Sequence, residues 1–401
     1  MNIIPNNLSA LLPTFFFAAQ VIQREATHLI SSVYVNAELA QIAKGMTATY
    51  PVAPPAKGYD IIPGNIPVIN GETAGSGTIT ISKSRAFSFE YTGEEQRQLS
   101  IAGIYSNQYM NQILERMRSI RNEIETDLAA LYVGASRAVG TAGTTPFAVN
   151  LAASPTVTGM EGFANMTKEM TDLGCPPVGR SAAFNSTAAA KVRNIPNLFR
   201  ANEAGSDHQL RTGELGTIEN FLCGESGQIK PVSTLGNGTN YVVNGATAAG
   251  STSIVLKTGS GTVLAGDIVS FASSTGRQYI VSTGIAAPGT ITIARPGLAD
   301  NLPDGDVMTL NATAFTPNLF MTKDAIHLVE RQPLLPGLGG SASGNGGAGG
   351  ILLDTAIIPD PGTGLYYQVA MWSMYRQVMI EIAANWGAAV ANPQDLLVLL
   401  G

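Results

Sequence analysis

The spacing of hydrophobic positions along this chain changes several times, and each change marks an element. From residue 14 to 44, Phe15, Phe16, Ala19, Ile22, Ala26, Leu29, Ile30 and Val33 form a wide stripe at helical spacing. Pro51, Pro54, Pro55, Pro63 and Pro67 then rule out a regular element over 51–67 and predict an extended, irregular excursion. Between Thr78 and Thr92 the period becomes two. Ile79, Ile81, Phe87, Phe89 and Tyr91 share one parity, and Thr78, Thr80, Ser82, Ser84, Ser88 and Glu90 take the other. Lys83 and Arg85 interrupt the apolar face midway, so the pattern predicts a two-stranded loop that is apolar at its base and charged towards its tip. Such a loop buries too little to be stable alone and implies a partner surface.

The strongest periodic segment runs from Ile104 to Val139. Ile113, Met117, Ile120, Ile124, Leu128 and Leu131 recur at spacings of three and four, with charged residues on the other faces and no proline between Gly103 and Gly140. The pattern predicts one helix of roughly 50 Å. Residues 150–228 mix short apolar runs with turns and predict helices over Met160–Leu173 and Thr187–Arg193.

From 229 to 315 the texture changes to short β-rich runs separated by Gly, Asn, Ser and Pro. They are Tyr241–Val243, Ser253–Lys257, Asp267–Phe271, Gln278–Ser282, Thr290–Ala294 and Val307–Leu310. Even spacing of this kind predicts a small antiparallel barrel or sandwich. Its expected interior is Val242, Ile254, Leu256, Ile268, Phe271, Ile280, Ile291 and Ile293. Strands at Leu319–Met321 and Ile326–Glu330 follow, then a glycine-rich loop over 337–350. A last strand starts at Tyr366–Met371 and continues towards Ile382, before a short run at Leu396–Leu400.

Length and composition add two constraints. At 401 residues more than one core is expected. The chain is 45% hydrophobic but only 13% charged, well below the quarter or so usual for globular domains, which favours a subunit that hides its faces against neighbours. Lys+Arg total 23 against Asp+Glu 29, a net charge of -6 with no basic stripe, which argues against dedicated nucleic-acid binding. The nearest basic groupings, Lys83/Arg85 and Arg116/Arg118/Arg121, read as solvated faces. Cys175 and Cys223 stand in no ligand spacing and fit a reduced compartment. The apolar stretch Leu8–Ile22 lacks a basic leader, holds Pro13 and is short for a spanning helix, so it reads as a helix packed on protein and not as a signal or membrane segment.

Catalytic readings fail on specifics, and no catalytic, cofactor-binding or metal residue is assigned. Gly259-Ser-Gly261 near Gly266 is not followed by a helix pattern, and no Lys-Ser/Thr pair follows the 337–350 loop. Ser226 in Gly224-Glu-Ser-Gly-Gln has one glycine out of place for a nucleophile elbow. His28, His208 and His327 lie in three separate regions. Asp300, Asp304 and Asp306 lack the glutamate of a calcium loop and read as turn residues.

Taken in order, a helical N-terminal arm, an extended loop, a long helix and a mixed α/β body resemble the Hong Kong-type fold of tailed-phage major capsid proteins. The inserted β-rich run resembles the coat-protein subtype of Salmonella short-tailed phages. Local phrases are similar too: Ala182-Ala-Phe-Asn-Ser186, Asn318-Leu-Phe-Met-Thr-Lys-Asp-Ala-Ile-His-Leu-Val329 after the insertion, and Trp386-Gly-Ala-Ala-Val390 before Pro393. The glycine-rich 337–350 loop departs from that pattern.

The resemblance implies an α+β chain divided into an arm (1–46), an extended β-hairpin loop (47–95), a peripheral domain with a spine helix (96–149), an axial domain (150–228 and 316–401) and an inserted β-barrel (229–315). It implies a non-enzymatic capsid subunit without cofactors. Its partners would be copies of itself in pentamers and hexamers, a scaffolding protein, a portal protein and a decoration protein, with no specific nucleic-acid sequence and no membrane. It would be assembled in the host bacterial cytoplasm and located in the virion capsid. A second reading, from another class, is a β-rich surface or adhesin-like protein that uses residues 229–315 as its recognition unit.

Overall fold

In this computed structural model, residues 27–36, 44–52, 75–95, 105–144, 159–199, 211–333, 351–360 and 362–401 are described, with Ala18, Pro63, Gly64, Arg97, Pro146 and Phe147. A short helix, Leu29–Ser32, leads into β1 (Tyr34–Val35). The ribbon β2 (Thr47–Val52) and β3 (Gly75–Thr80) precedes β4 (Lys83–Thr92) and the long helix Tyr105–Ala130. A 3-10 turn over Leu131–Gly134 then leads to β5 (Arg137–Val139). Further on come helices Glu161–Asp172 and Ser186–Arg193, with β6 (Arg180–Phe184), β7 (Thr217–Ile218) and β8 (Phe221–Glu225). The β-rich stretch supplies β9 (Val242–Val243), β10 (Ser253–Lys257), β11 (Ile268–Phe271), β12 (Gln278–Thr283), β13 (Thr290–Ile293) and β14 (Met308–Leu310). The chain closes with β15 (Pro317–Thr322), β16 (Ile326–Arg331), β17 (Ile351–Pro359), β18 (Tyr366–Met374), β19 (Gln377–Val390) and β20 (Leu396–Leu400).

Two large sheets organise a mixed α+β chain. In the first, β19 is the spine: β4 runs antiparallel along Gln377–Trp386, while β18 and then β16 follow one another along its other edge. β17 extends the sheet beyond β18, and β1 adds in parallel to β16. The long helix lies on this sheet. Ile113, Met117, Ile120, Ile124 and Leu128 are fully buried, as their spacing requires, against Phe89, Ile380, Ile382 and Trp386 among others.

The second sheet runs β7-β8-β6-β15-β20-β5 through the body and continues into β12. Helices Glu161–Asp172 and Ser186–Arg193 cover one face of it over an aromatic core of Phe147, Phe163, Phe184, Phe221 and Phe320.

The six strands of the β-rich stretch form a ring, β9-β10-β13-β12-β11-β14, which returns to β9 through the Val242–Val307 bridge and the Met308 N–H to Tyr241 carbonyl bond of 3.0 Å. The chain enters and leaves this ring side by side. Val232 N–H donates to the Phe315 carbonyl at 2.7 Å, and Phe315 N–H returns the bond at 3.3 Å. Inside are Tyr241, Val243, Ile254, Leu256, Val269, Phe271, Tyr279, Val281, Ile291 and Ile293. Ile268 and Ile280, expected inside, belong to the core of the body instead, and Val242 is half-buried. On β11 and β12 both faces are covered, so alternation could not tell the ring's interior from its docking side.

Other expectations need correcting. The helix expected over 14–44 gives way at Ser32 to β1, whose pairing with β16 outweighs helical spacing; residues 14–17, 19–26 and 37–43 of that stretch lie outside the described residues. The excursion over 51–67 begins inside a regular element, because Pro51 and Val52 finish β2. A two-stranded ribbon is all edge and tolerates a missing N–H.

The long helix ends at Ala130, about 39 Å from its start, although apolar spacing continues to Leu131. Beyond it, β5 gains ladder partners on both sides, β20 and β12, which replace the helical bonds given up. The strand expected from Tyr366 towards Ile382 is a hairpin, turning at Tyr375–Arg376 with Arg376 in the left-handed region (φ 59). No Asn-Gly or Gly-Gly pair announces that turn. Strand β17 was not expected at all. The 337–350 loop lies outside the described residues.

Candidate functional site

The sequence placed Lys83 and Arg85 at the tip of a projecting loop. In the structure they lie on β4 in the body sheet, and the described residues of 47–80 form the ribbon β2–β3. The odd-numbered face of β4 meets the long helix along its whole length. Lys83 Nζ pairs with Asp127 at 2.5 Å, Arg85 makes a two-point bond to Glu123 at 2.8 and 2.9 Å, and the Arg116 guanidinium sits 5.3 Å from the Phe89 ring centre. Asp127 and Glu123 are one helical turn apart, and strand residues 83 and 85 are two apart. The antiparallel run of strand and helix therefore brings both pairs into register. The side chains are half-exposed, so solvent screens both pairs and they set register more than they stabilise.

Deeper in the same contact lies a buried polar layer. Arg121, read from sequence as a solvated charge, is 2% exposed. Its Nε donates to Asp360 Oδ2 at 2.8 Å, and its Nη2 makes a second short bond to the same oxygen. Asp360 also accepts from Gly362 N–H (3.0 Å) and Thr363 Oγ1 (2.6 Å), which fixes the turn between β17 and β18. One helical turn on, Glu125 accepts from Ile30 N–H at 2.9 Å and from Ser226 Oγ at 2.7 Å. Burial raises the Glu125 carboxyl, and the bonds from Ser226, Ile30 and Leu29 and the charge of Arg121 oppose that shift. The long helix thus holds the β17–β18 turn through Arg121, and the 27–36 segment and the end of β8 through Glu125.

The 27–36 segment is fastened at two more points. His28 Nε2 bonds the Leu222 carbonyl at 3.1 Å, its ring lies against Gly224 where a Cβ has no room, and burial lowers its pKa. Farther on, the Tyr34 and Tyr50 rings sit 5.1 and 5.2 Å from His327. Here the ribbon meets the body. Ile79 and Ile81 pack on Val329, with Tyr50 and Ala389 beside them, and the Thr80–Ile81 backbone crosses Gly387 so closely that any Cβ there would clash. On the other side of the ribbon Thr47, Thr49, Ser76 and Thr78 are exposed.

None of the weighed chemical residues assembles into a reactive group. Ser226 is committed to Glu125. His28 and His327 sit at separate anchors, and His208 lies outside the described residues. Asp300 accepts from Ser274 and Arg277, Asp304 pairs with Lys257, and Asp306 accepts from Ser273, so the three carboxylates do three structural jobs. Gly259 and Gly261 fit against Tyr241 and Asn237 in a turn of the ring. Among the described residues no group of three or more His, Cys, Asp or Glu is placed to hold a metal ion. Cys175 and Cys223 are free, and burial pushes both thiols up to about 12.

No protein-family model and no curated sequence matches the chain. Among solved structures, it is similar to one from Mycobacterium phage Che8 (13% identity, 93% of this chain and 90% of that one, TM-score 0.46). It is also similar to the capsid structure of the cyanophage P-SCSP1u (12%, 94% and 88%, TM-score 0.48) and to the mature capsid of bacteriophage PhiM1 (10%, 93% and 86%, TM-score 0.43).

Proposed function

We propose that this chain is a shell-building subunit, the major capsid protein of a tailed double-stranded DNA phage, with copies of itself as its main partner. The observation that carries the reading is the ribbon β2–β3. Among its described residues, Ile79, Ile81 and Tyr50 pack on the body, and Thr47, Thr49, Ser76 and Thr78 are exposed. A two-stranded ribbon of that kind is marginal in water and calls for a neighbouring surface. The low charge of the chain and the order of elements described above support the same reading. On this reading residues 96–149, with the long helix as their spine, are the peripheral part, residues 150–228 and 316–401 are the axial part, and the ring of strands over 229–315 is an inserted barrel of the Salmonella short-tailed phage type. Scaffolding, portal and decoration proteins would be its further partners, and the host cytoplasm its place of assembly.

The test is assembly of the expressed chain, with a scaffolding partner supplied, followed by negative-stain microscopy. Closed shells hundreds of ångströms across are expected, with the 47–80 ribbon protected from protease in shells and cut first in free subunits. A monodisperse monomer under every condition, with equal cleavage of the ribbon, would refute the proposal. An adhesin-like binding protein would give that second result.

A further inference from the structure

Glu330, on β16, is the one member of the buried layer that the contacts above leave poorly served. Its carboxyl is buried, and Oε2 accepts the Tyr366 N–H at 2.9 Å, but Oε1 is buried with no hydrogen-bond partner. The other buried carboxylates of the layer are well supplied. Asp360 takes the guanidinium of Arg121 together with Gly362 N–H and Thr363 Oγ1, and Glu125 takes Ile30 N–H and Ser226 Oγ.

The groups facing Glu330 can be taken element by element. From the β17–β18 turn comes the negative charge of Asp360, and from β18 the Tyr366 amide and the buried Tyr367 phenol, which the Arg121 guanidinium also reaches. The long helix offers Arg121, already bonded to Asp360. Opposite it on β19 stands Trp386, which carries no charge and donates to Asp127. Arg121 is thus engaged by Asp360 and acts on Glu125. An ionised Glu330 would add a buried negative charge beside Asp360, held by the Tyr366 N–H.

We infer that Glu330 is carried protonated in the folded subunit and that its ionisation loosens the seat of the β17–β18 turn against the long helix and β16. Protonation removes the buried charge, which is the costly part of an under-served carboxylate away from water. Ionisation restores the repulsion with Asp360, whose turn is held by Arg121 on one side and leads straight to the Tyr366 amide on the other. Burial, and secondarily Asp360, push the Glu330 carboxyl up to about 8, while the Tyr366 bond opposes the shift. The inference stands whether or not the chain builds shells.

The sign follows from proton counting. A carboxyl raised in the fold holds a proton that the unfolded chain has lost, so its contribution is complete below the unfolded value and is lost as pH rises through the folded one. Between pH of about 5 and 8, Glu330 alone should raise the unfolding equilibrium constant by up to roughly tenfold per pH unit. The experiment is chemical unfolding of the full chain and of Glu330→Gln from acid to alkaline pH, with hydrogen exchange at the Tyr366 amide. Gln is neutral at every pH. The two proteins should therefore be close in acid and diverge as pH rises, the variant becoming the more stable, with Tyr366 exchange accelerating beyond the intrinsic base-catalysed rise only in the wild type. A gap that does not change with pH overturns the inference. Should the Gln variant fail to fold, a 13C label at the Glu330 carboxyl of the wild type decides the matter. A midpoint above about 5.5 supports the inference, and one at or below it overturns it.

Discussion

Replacing Arg121 with Met tests how the long helix is fastened to the sheet. The substitution keeps most of the stem's volume and removes the guanidinium bonded to Asp360. Asp360 is 1% exposed, so its charge would remain buried with two neutral donors, Gly362 N–H and Thr363 Oγ1. Removing one partner of such a pair costs about 3–5 kcal/mol, because the other ion has lost both water and counter-ion. For a domain of marginal stability that is a large share of the total. Replacing both partners, as Arg121→Met with Asp360→Leu, removes the stranded charge as well, and the loss should fall to within about 2 kcal/mol of wild type. Urea unfolding followed by the fluorescence of Trp372 and Trp386, both in the six-stranded sheet, reads these differences at fixed pH. If Arg121→Met alone costs less than about 1 kcal/mol, or if the double variant loses the sum of the two single losses, the pair is not the fastening described.

Most of what was legible in the sequence was local. The helix Ser186–Arg193 and strand β10 fall within a residue of their expected limits, because polar caps or turn residues bracket a single apolar period. The N-cap Asn185 accepts the Ala188 N–H at 2.8 Å, a signal written in three residues. What failed was decided by partners far along the chain. Tyr34–Val35 becomes a strand because β16, nearly three hundred residues later, offers an edge. Lys83 and Arg85 looked like solvent charges because their counter-ions, Asp127 and Glu123, sit on a helix whose facing side no local pattern reveals. Arg121 stands on the same charged helix surface as Arg118. One is buried on Asp360, and the other pairs with Glu115 on its own helix. The buried layer was therefore invisible: each member is an ordinary polar residue until β16, β18 and the long helix are brought together.

Three further outcomes follow. Gly387→Val should unseat the ribbon, since the Thr80–Ile81 backbone occupies the space a side chain needs; faster proteolysis at 47–80, with the body's unfolding little changed, would be the sign, and an unchanged rate would count against it. Cys175 and Cys223, their thiols raised to about 12 by burial, should resist a thiol reagent at neutral pH until the chain unfolds, and rapid labelling of the folded protein would contradict their surroundings. The last concerns a fragment of residues 229–316. Its ring closes through Val242 and Val307 and its ends are joined at Val232 and Phe315, so it should fold cooperatively on its own. In isolation, however, it exposes Ile268 and Ile280, which the full chain buries in the core of the body, and it leaves the β12 edge that pairs with β5 open. An uncovered apolar patch beside an open strand edge favours self-association. Changing both isoleucines to Thr should therefore make the fragment more soluble while destabilising the intact chain by about 2–4 kcal/mol, as the docking contact loses two buried side chains. A fragment that stays disordered with either sequence, by amide dispersion in NMR, would mean that the six strands need the body to fold and are not an independent insertion.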